Sequence, residues 1–422
     1  MSKAVSNSSL KNIVEKSGNS RVSKDGYSFD IYSNKWHLNK DVTISFKEEV
    51  LGLEADTLAG FRLSLGRYAE ECSAKHTSNM YHRLQRMVRD TGCVSIDVNV
   101  IRNWRASLDD ENEWYLGALR GFLISWHDYG YKGVGSAVVK VLEGMRLSGN
   151  AKGVAIANRC EFTGAFTQNE QISVANELIR LFDEDLISLP CYSYLLTLQA
   201  TARRPVQIRQ LKIKDLIKES CPKTKAVNFY LNIPRSKQRG TGFREIFKRL
   251  AITEDLYLTL VNLAEHQHSY ISLALNIQLN QEEKDEVPLF LDYEYVKRLK
   301  DTTQTDSLIV LLKSDVLHMS SNQLRQDYMQ KVSRLNQAVS ERTGDIILLS
   351  ARRFKRTRGT NLGRKGVSVY VIAEVLDHSD TQNVEVYTEN TADTVTYIDK
   401  AIGKQLAPIA KAFKGVIIED IQ

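Results

Sequence analysis

Through two long stretches of this chain, from about residue 53 to 150 and again from 169 onwards, apolar residues recur every three or four positions, a period that specifies helices. In the first stretch LEADTLAGFRLSLGRYAEECS, SNMYHRLQRMVRD, DVNVIRNWRASL, NEWYLGALRGFLISWHDYG and VGSAVVKVLEGMRL predict four or five helices. Arg62, Arg67, Arg83, Arg86 and Arg89 fall on their polar faces, and Trp104, Trp114 and Trp126 are expected to pack in the core. In the second stretch QNEQISVANELIRLFDED and ISLPCYSYLLTLQATARR read as helices, and VNFYLNI and FREIFKR alternate like strands around the turn PRSKQRGTG. A helix-rich remainder is interrupted by the short apolar run VPLFL. The expected fold class is mainly α with a small β-sheet (α+β).

A chain of 422 residues suits two or three domains. Residues 1–52 read as an N-terminal extension, whose polar residues 1–45 are either a further contact to a partner or, more simply, a flexible lead, and DGYSFDIYSNKWHL within it predicts a short strand pair. Residues 53–150 form the helical domain, the small and polar run at 151–168 a linker, and 169–422 the second domain. No stretch approaches the roughly 18 uncharged apolar residues that cross a bilayer. The first residues, MSKAVSNSSLKNIVEKSGNS, lack the apolar centre of a secretory signal. Five cysteines, at 72, 93, 160, 191 and 221, have no metal-ligand spacing and read as reduced cytosolic thiols.

Charge is placed unevenly. The net charge is only +6, yet Thr201 to Leu250 holds fourteen Lys or Arg against three acids, and Arg352 to Lys365 holds seven basic residues and no acid. Two such windows far apart in sequence point to one electropositive surface built from both, suited to an anionic partner.

Four pieces carry the candidate chemistry. In QATARRPVQIRQLKIKDL a helix ends near Arg204 and Pro205, where a guanidinium can present its planar fork to a phosphate. IPRSKQRGTGFREI places Lys237 on a hairpin tip, either as a solvated turn lysine or as a proton donor inserted in a DNA groove. LLSARRFKRTRGTNLGRKG is too basic for an ordinary core helix, and in VIAEVLDHSDTQNVEVYTENT Tyr387 follows His378 by nine positions.

Taken together these pieces resemble the conserved boxes of tyrosine recombinases, the phage-integrase family. TARRPVQIRQLKIKDL is similar to T-G-x-R, an acidic-aliphatic pair, then L-K-x-x-D, with Arg204 on the catalytic arginine and Leu211, Lys212 and Asp215 on the L-K-x-x-D. TRGTNLGRKG resembles the second box, and EVLDHSDTQNVEVYT resembles L-G-H-S-x-x-x-T-x-x-Y-T, with His378 and Tyr387 at the family's spacing. The likeness spans roughly residues 170–415, while 53–150 matches a helical core-binding domain by pattern alone. This chain departs from the family at Ala202 (Gly expected), Gln207 (an acid expected) and Asp377 (Gly expected). In the second box Arg352 stands on the histidine and Lys355 on the second arginine, with Arg356 one position away; alternatively Arg353 and Arg356 form a displaced pair.

The resemblance implies a site-specific integrase whose catalytic residues are Tyr387 as nucleophile, Arg204, His378 and Lys355 or Arg356 with Arg352 around the phosphate, and Lys237 as general acid. It implies a 3′-phosphotyrosine intermediate with no metal, ATP or other cofactor. Arg203, Arg235, Arg239, Arg353 and Arg358, with Arg83 and Arg86 from the helical domain, are the expected DNA contacts. The resemblance further implies a clamp of two domains on DNA, a homo-tetramer on DNA from a monomer or weak dimer in solution, accessory DNA-bending proteins, no membrane, and a cytoplasmic, nucleoid-associated location. Val395, Ile398, Ile402, Leu406, Ile409 and Phe413 recur at helical spacing after Tyr387, a tail helix packed either in cis or on a neighbour. Two other readings stand beside this one: a type IB topoisomerase, and a recombinase relative that binds DNA without cutting it.

Overall fold

The computed structural model describes residues 19–147, 160–220, 222–223, 225–236, 242–300 and 308–377. Two hairpins open the chain, β1 (Ser20–Val22) with β2 (Ser28–Asp30) and β3 (Lys35–His37) with β4 (Thr43–Ser45). The predicted strand pair is thus present as strands, but β2 and β3 pair outward and not with each other. The local reason in the second hairpin is Asn39, whose Oδ1 accepts from the Asp41 and Val42 amides at 2.9 and 2.8 Å and closes the turn there.

The hairpins are no flexible lead, because the central residue of each of β2, β3 and β4 is buried: Phe29, Trp36 and Ile44. They share one core with the helices α1 (Glu48–Leu51), α2 (Ala55–Glu71), α3 (Ala74–Thr91), α4 (Val98–Ser107), α5 (Trp114–Asp128) and α6 (Ser136–Gly144). Trp36 lies 5.0 Å from Phe46, and Phe46 lies 5.2 Å from Tyr81 of α3. The Tyr81 hydroxyl donates to the Ser45 carbonyl at 2.9 Å and accepts from the Lys47 amide at 2.8 Å, tying β4 to α3. Arg62, expected on a polar face, is buried instead and donates to the carbonyls of Ile31 and Ser33 and to Asn34 Oδ1. Trp104 and Trp126 are fully buried as expected, but Trp114 is half-exposed and stacks on Tyr115 at 4.1 Å.

The second unit begins with α7 (Gln168–Asp183), started by a reciprocal cap between Thr167 and Glu170, and α8 (Leu189–Thr201), with Pro190 in its first turn. After α9 (Pro205–Arg209) come β5 (Leu216–Ser220), β6 (Val227–Pro234) and β7 (Phe247–Ile252), an antiparallel sheet with β6 in the middle and Leu231 opposite Leu216 and Leu250. The predicted strand FREIFKR starts late, at Phe247. Arg244 has φ +53 and reaches Asp215 with both guanidinium ends, at 2.7 and 2.8 Å, so the segment before β7 is spent on that pair.

Helices α10 (Glu254–Leu275), α11 (Gln281–Glu286), α12 (Tyr293–Leu299), α13 (Leu308–Lys313), α14 (Ser321–Gln323) and α15 (Lys331–Leu335) follow, with π-helical Leu324–Gln330 joining the last two. The run VPLFL is a buried connector, Val287 to Leu291, bridged to Lys212 and His318. The described chain ends with the basic α16 (Ala351–Arg364) and α17 (Val369–Val375). Mainly helical with small antiparallel sheets, the architecture is the α+β class expected. No helix among the described residues is long and apolar enough to cross a membrane.

The hairpins also touch the second unit. Lys40 Nζ donates to Asp292 Oδ2 at 2.7 Å and to the Val316 carbonyl, and Asp41 accepts from the amide and hydroxyl of Ser321 at 2.6 and 2.7 Å. Tyr27 donates to Asp315 at 2.5 Å.

Candidate nucleic-acid reaction centre

The α8–α9 junction, the end of β6, α16 and the end of α17 meet at two consecutive residues, Leu376 and Asp377. The chain reaches Asp377 through a small apolar contact of Ala202, Ile372, Ala373 and Leu376, which seats α17 on the C-terminus of α8. Ala202 stands where α8 ends and takes φ +53, turning the chain so that Arg203 and Arg204 follow directly. Pro205 then starts α9 with a backbone already suited to a first helical turn.

Arg204 Nη1 donates to the Asp377 carbonyl at 3.2 Å and lies 3.7 Å from its carboxylate. Arg235, just past β6, donates from Nε to Asp377 Oδ1 at 2.7 Å. Gln207 Nε2 donates to Asp377 Oδ2 and to the Pro234 carbonyl, both at 2.9 Å. Lys355 Nζ donates to the Leu376 carbonyl at 2.8 Å, and Lys248 pairs with the carboxylate and carbonyl of Glu374. Three cations from three elements thus meet the last carbonyls of α17, the negative end of a helix dipole. Burial, and then the Arg235 charge, work against protonation of Arg204, and Asp377 offsets them; the net displacement is downward.

Arg204 and Lys355 therefore bind consecutive carbonyls, those of Asp377 and Leu376, immediately before His378 in sequence. That arrangement separates Lys355 from Arg356. Arg356 points the other way and donates to the Thr163 carbonyl. Arg353 goes with it: 2% exposed, it donates to the carbonyls of Gly164, Leu348 and Glu161 and sits 3.3 Å from Glu170. The displaced pairing of Arg353 with Arg356 is thereby corrected, since both fasten residues 161–164 to α16. As a DNA contact Arg353 is corrected too, because an enclosed guanidinium has no face to offer a duplex. Arg203 is also enclosed, 1% exposed, and its guanidinium nitrogens have no hydrogen-bond partner among the described residues.

Arg352 and Arg358 are exposed on α16. Arg83 and Arg86 of α3 are half-buried, their guanidinium groups 5.3 Å from the Trp114 ring and 4.5 Å from the Tyr115 ring, and Arg86 Nε also donates to Asp90 at 3.3 Å. Lys237, Arg239, His378 and Tyr387 lie outside the described residues, as does the tail from Val395 to Phe413.

The L-K-x-x-D motif is built into the fold. Lys212 is 1% exposed and donates to Glu286 at 2.8 Å and to the Leu312 carbonyl at 2.6 Å; burial pulls its pKa down to about 8. Asp215 accepts from the Lys212 amide at 2.8 Å as well as from Arg244. Sequence reading missed the contacts that Asp377 makes with Arg204, Gln207 and Arg235. Their signal was present as two departures at once, Gln207 for an acid and Asp377 for a glycine.

No family model matches the sequence, and no curated protein matches it. Solved structures do show likeness at low identity. A XerA recombinase is 11% identical over 84% of this chain and 97% of that chain, with a TM-score of 0.33. A XerH site-specific recombinase bound to its difH substrate in a pre-cleavage complex is 11% identical over 86% and 90%, with a TM-score of 0.45. A Tn1549 transposon integrase in complex with transposon right end DNA is 12% identical over 82% and 99%, with a TM-score of 0.47.

Proposed function

We propose that this chain is a site-specific DNA recombinase that cleaves and rejoins duplex DNA through a 3′-phosphotyrosine at Tyr387. The observation that carries the reading is the meeting of Arg204 and Lys355 on the two carbonyls before His378, from elements far apart in the chain. A basic box and an arginine that met only in a sequence comparison would have no reason to share those two carbonyls.

In the proposed step the Tyr387 phenolate attacks the scissile phosphorus in line with the 5′ oxygen. Arg204, His378 and Lys355 offset the charge that builds on the nonbridging oxygens. The P–O5′ bond breaks as the Tyr387–P bond forms, and Lys237 gives its proton to the leaving 5′ oxygen. The ester conserves the bond energy, so attack by another 5′-hydroxyl reverses the step. A strand from a second duplex gives recombination, which calls for a tetramer on DNA, with Arg352, Arg358, Arg83 and Arg86 among the groups positioned to meet backbone phosphates. A protein that binds DNA without cutting it is the second reading, favoured by Lys355, whose ammonium lacks the bidentate fork of an arginine.

The test is covalent trapping on a random-sequence duplex library carrying nicks that let the short 5′ strand escape. Wild-type adducts that resist SDS, share one sequence and vanish in Tyr387→Phe are expected. Adducts without sequence preference indicate a topoisomerase. Binding by both proteins with an adduct from neither rejects the enzyme and leaves the binding protein.

A further inference from the structure

Asp377 is enclosed, 1% exposed, and its backbone takes φ +53, a region that disfavours any residue with a Cβ. A carboxylate in so confined a place has to be matched, and both its oxygens are: Oδ1 accepts from Arg235, and Oδ2 accepts from Gln207 with Arg204 beyond it at 3.7 Å. Gln207 spends its other amide hydrogen on the Pro234 carbonyl, so the carboxylate is aimed from the α9 side and the β6 side together. Arg203, Arg204 and Arg235 repel one another here, as the downward displacement of Arg203 by burial and by the other two reflects.

We propose that Asp377 is a positioning residue of the reaction centre, holding Arg204 and Arg235 in the orientation that meets a phosphodiester. The inference rests on the strand-cleavage reading. Before DNA binds, the Asp377 carboxylate is the counter-charge that keeps the two guanidinium groups from splaying apart. When the phosphate arrives, Arg204 keeps its contact to the Asp377 carbonyl through Nη1 and offers its remaining donors, already oriented. Cations held this way need no rearrangement as charge builds in the transition state. The carboxylate thus works through Arg204 and does not itself touch DNA.

The test uses the full chain and the nicked random-sequence duplex library, with three readouts: rate of adduct formation at saturating DNA, DNA affinity, and Tm. Asp377→Asn keeps the shape and removes the charge; its rate should fall on the order of a hundredfold, while affinity stays within about threefold because phosphate contacts elsewhere carry it. Asp377→Gly relieves the backbone, so a comparable loss of rate there excludes strain as the cause. Adding Gln207→Glu to Asp377→Asn returns a carboxylate across the same 2.9 Å bond and should recover roughly tenfold of the rate. Wild-type rates in Asp377→Asn overturn the proposal. So does a loss that follows affinity or Tm and is not recovered in the double variant. If wild type gives no adduct that depends on Tyr387, the strand-cleavage reading falls and takes this role with it; if wild type reacts and Asp377→Asn reacts equally fast, the positioning role alone falls.

Discussion

His318 is fully enclosed among Arg209, Lys212 and Arg244, with Nδ1 2.6 Å from the Arg209 carbonyl. Nδ1 therefore carries the hydrogen and donates it. Burial first, and then those three charges, hold the ring neutral and its pKa well below 6.5. The unfolded chain takes up a proton near pH 6.5 and the folded one does not, so the unfolded state binds more protons below that pH. Stability from this site is intact above pH 6.5 and declines as the pH falls. His318→Asn should lower Tm at neutral pH through lost packing, yet flatten the decline of Tm between about pH 7 and 5. A decline as steep as that of the wild type would assign the acid sensitivity to other groups. Residue 204 was legible in the sequence because a helix end marks it, and the basic box at 352–358 was legible as a box, but not which of Lys355 and Arg356 faces the end of α17. Lys212, Arg353 and Asp377 were not, since their meaning lies in what encloses them.

At the scale of elements, α16 shows why basic segments are hard to read. One face carries Lys355 to the end of α17, while the opposite face binds residues 161–164 through Arg353 and Arg356. Glu170 anchors that second face: it is fully buried and accepts from Arg342 at 2.7 Å, Arg353 at 3.3 Å and the Ser340 hydroxyl at 2.5 Å. Burial pushes its carboxyl up, and the bonds to Arg342 and Ser340 more than reverse that, leaving it below the ordinary value. Glu170→Gln strands Arg353 without its counter-charge and should cost about 3 kcal/mol or more, read from the urea midpoint. A loss under about 1 kcal/mol would mean that the carbonyl partners alone satisfy Arg353. The four or five helices predicted between 53 and 150 are found as the five helices α2 to α6, because their period is local. The late start of β7 was not legible, because Arg244 answers to Asp215, a partner 29 positions away.

Across the whole molecule, the two units meet through Tyr27, Lys40 and Asp41 on the N-terminal hairpins. Arg209, 3% exposed, lies 3.3 Å from Asp41 and 3.7 Å from Asp315, so the contact places a carboxylate of one unit on an enclosed cation of the other. Asp41→Ala removes the nearer charge and two hydrogen bonds to Ser321. Small-angle scattering of the variant without DNA should give a larger radius of gyration than the wild type, and equal radii would show that Lys40 and Tyr27 hold the units unaided.

By itself the sequence determined the helical class, the helices of the first stretch, the two basic windows and the residue types at 204, 355, 378 and 387, because periodicity, turn chemistry and charge are properties of short segments. Only the tertiary structure decided that residues 20–51 belong to the first core, that Lys355 and not Arg356 faces the end of α17, and that Asp377 holds two arginines. The physical reason is desolvation. Whether a charged side chain waits for a phosphate or is already spent on a neighbour depends on how much water surrounds it and which partners lie within about 3 Å, and both are set by segments distant in the chain.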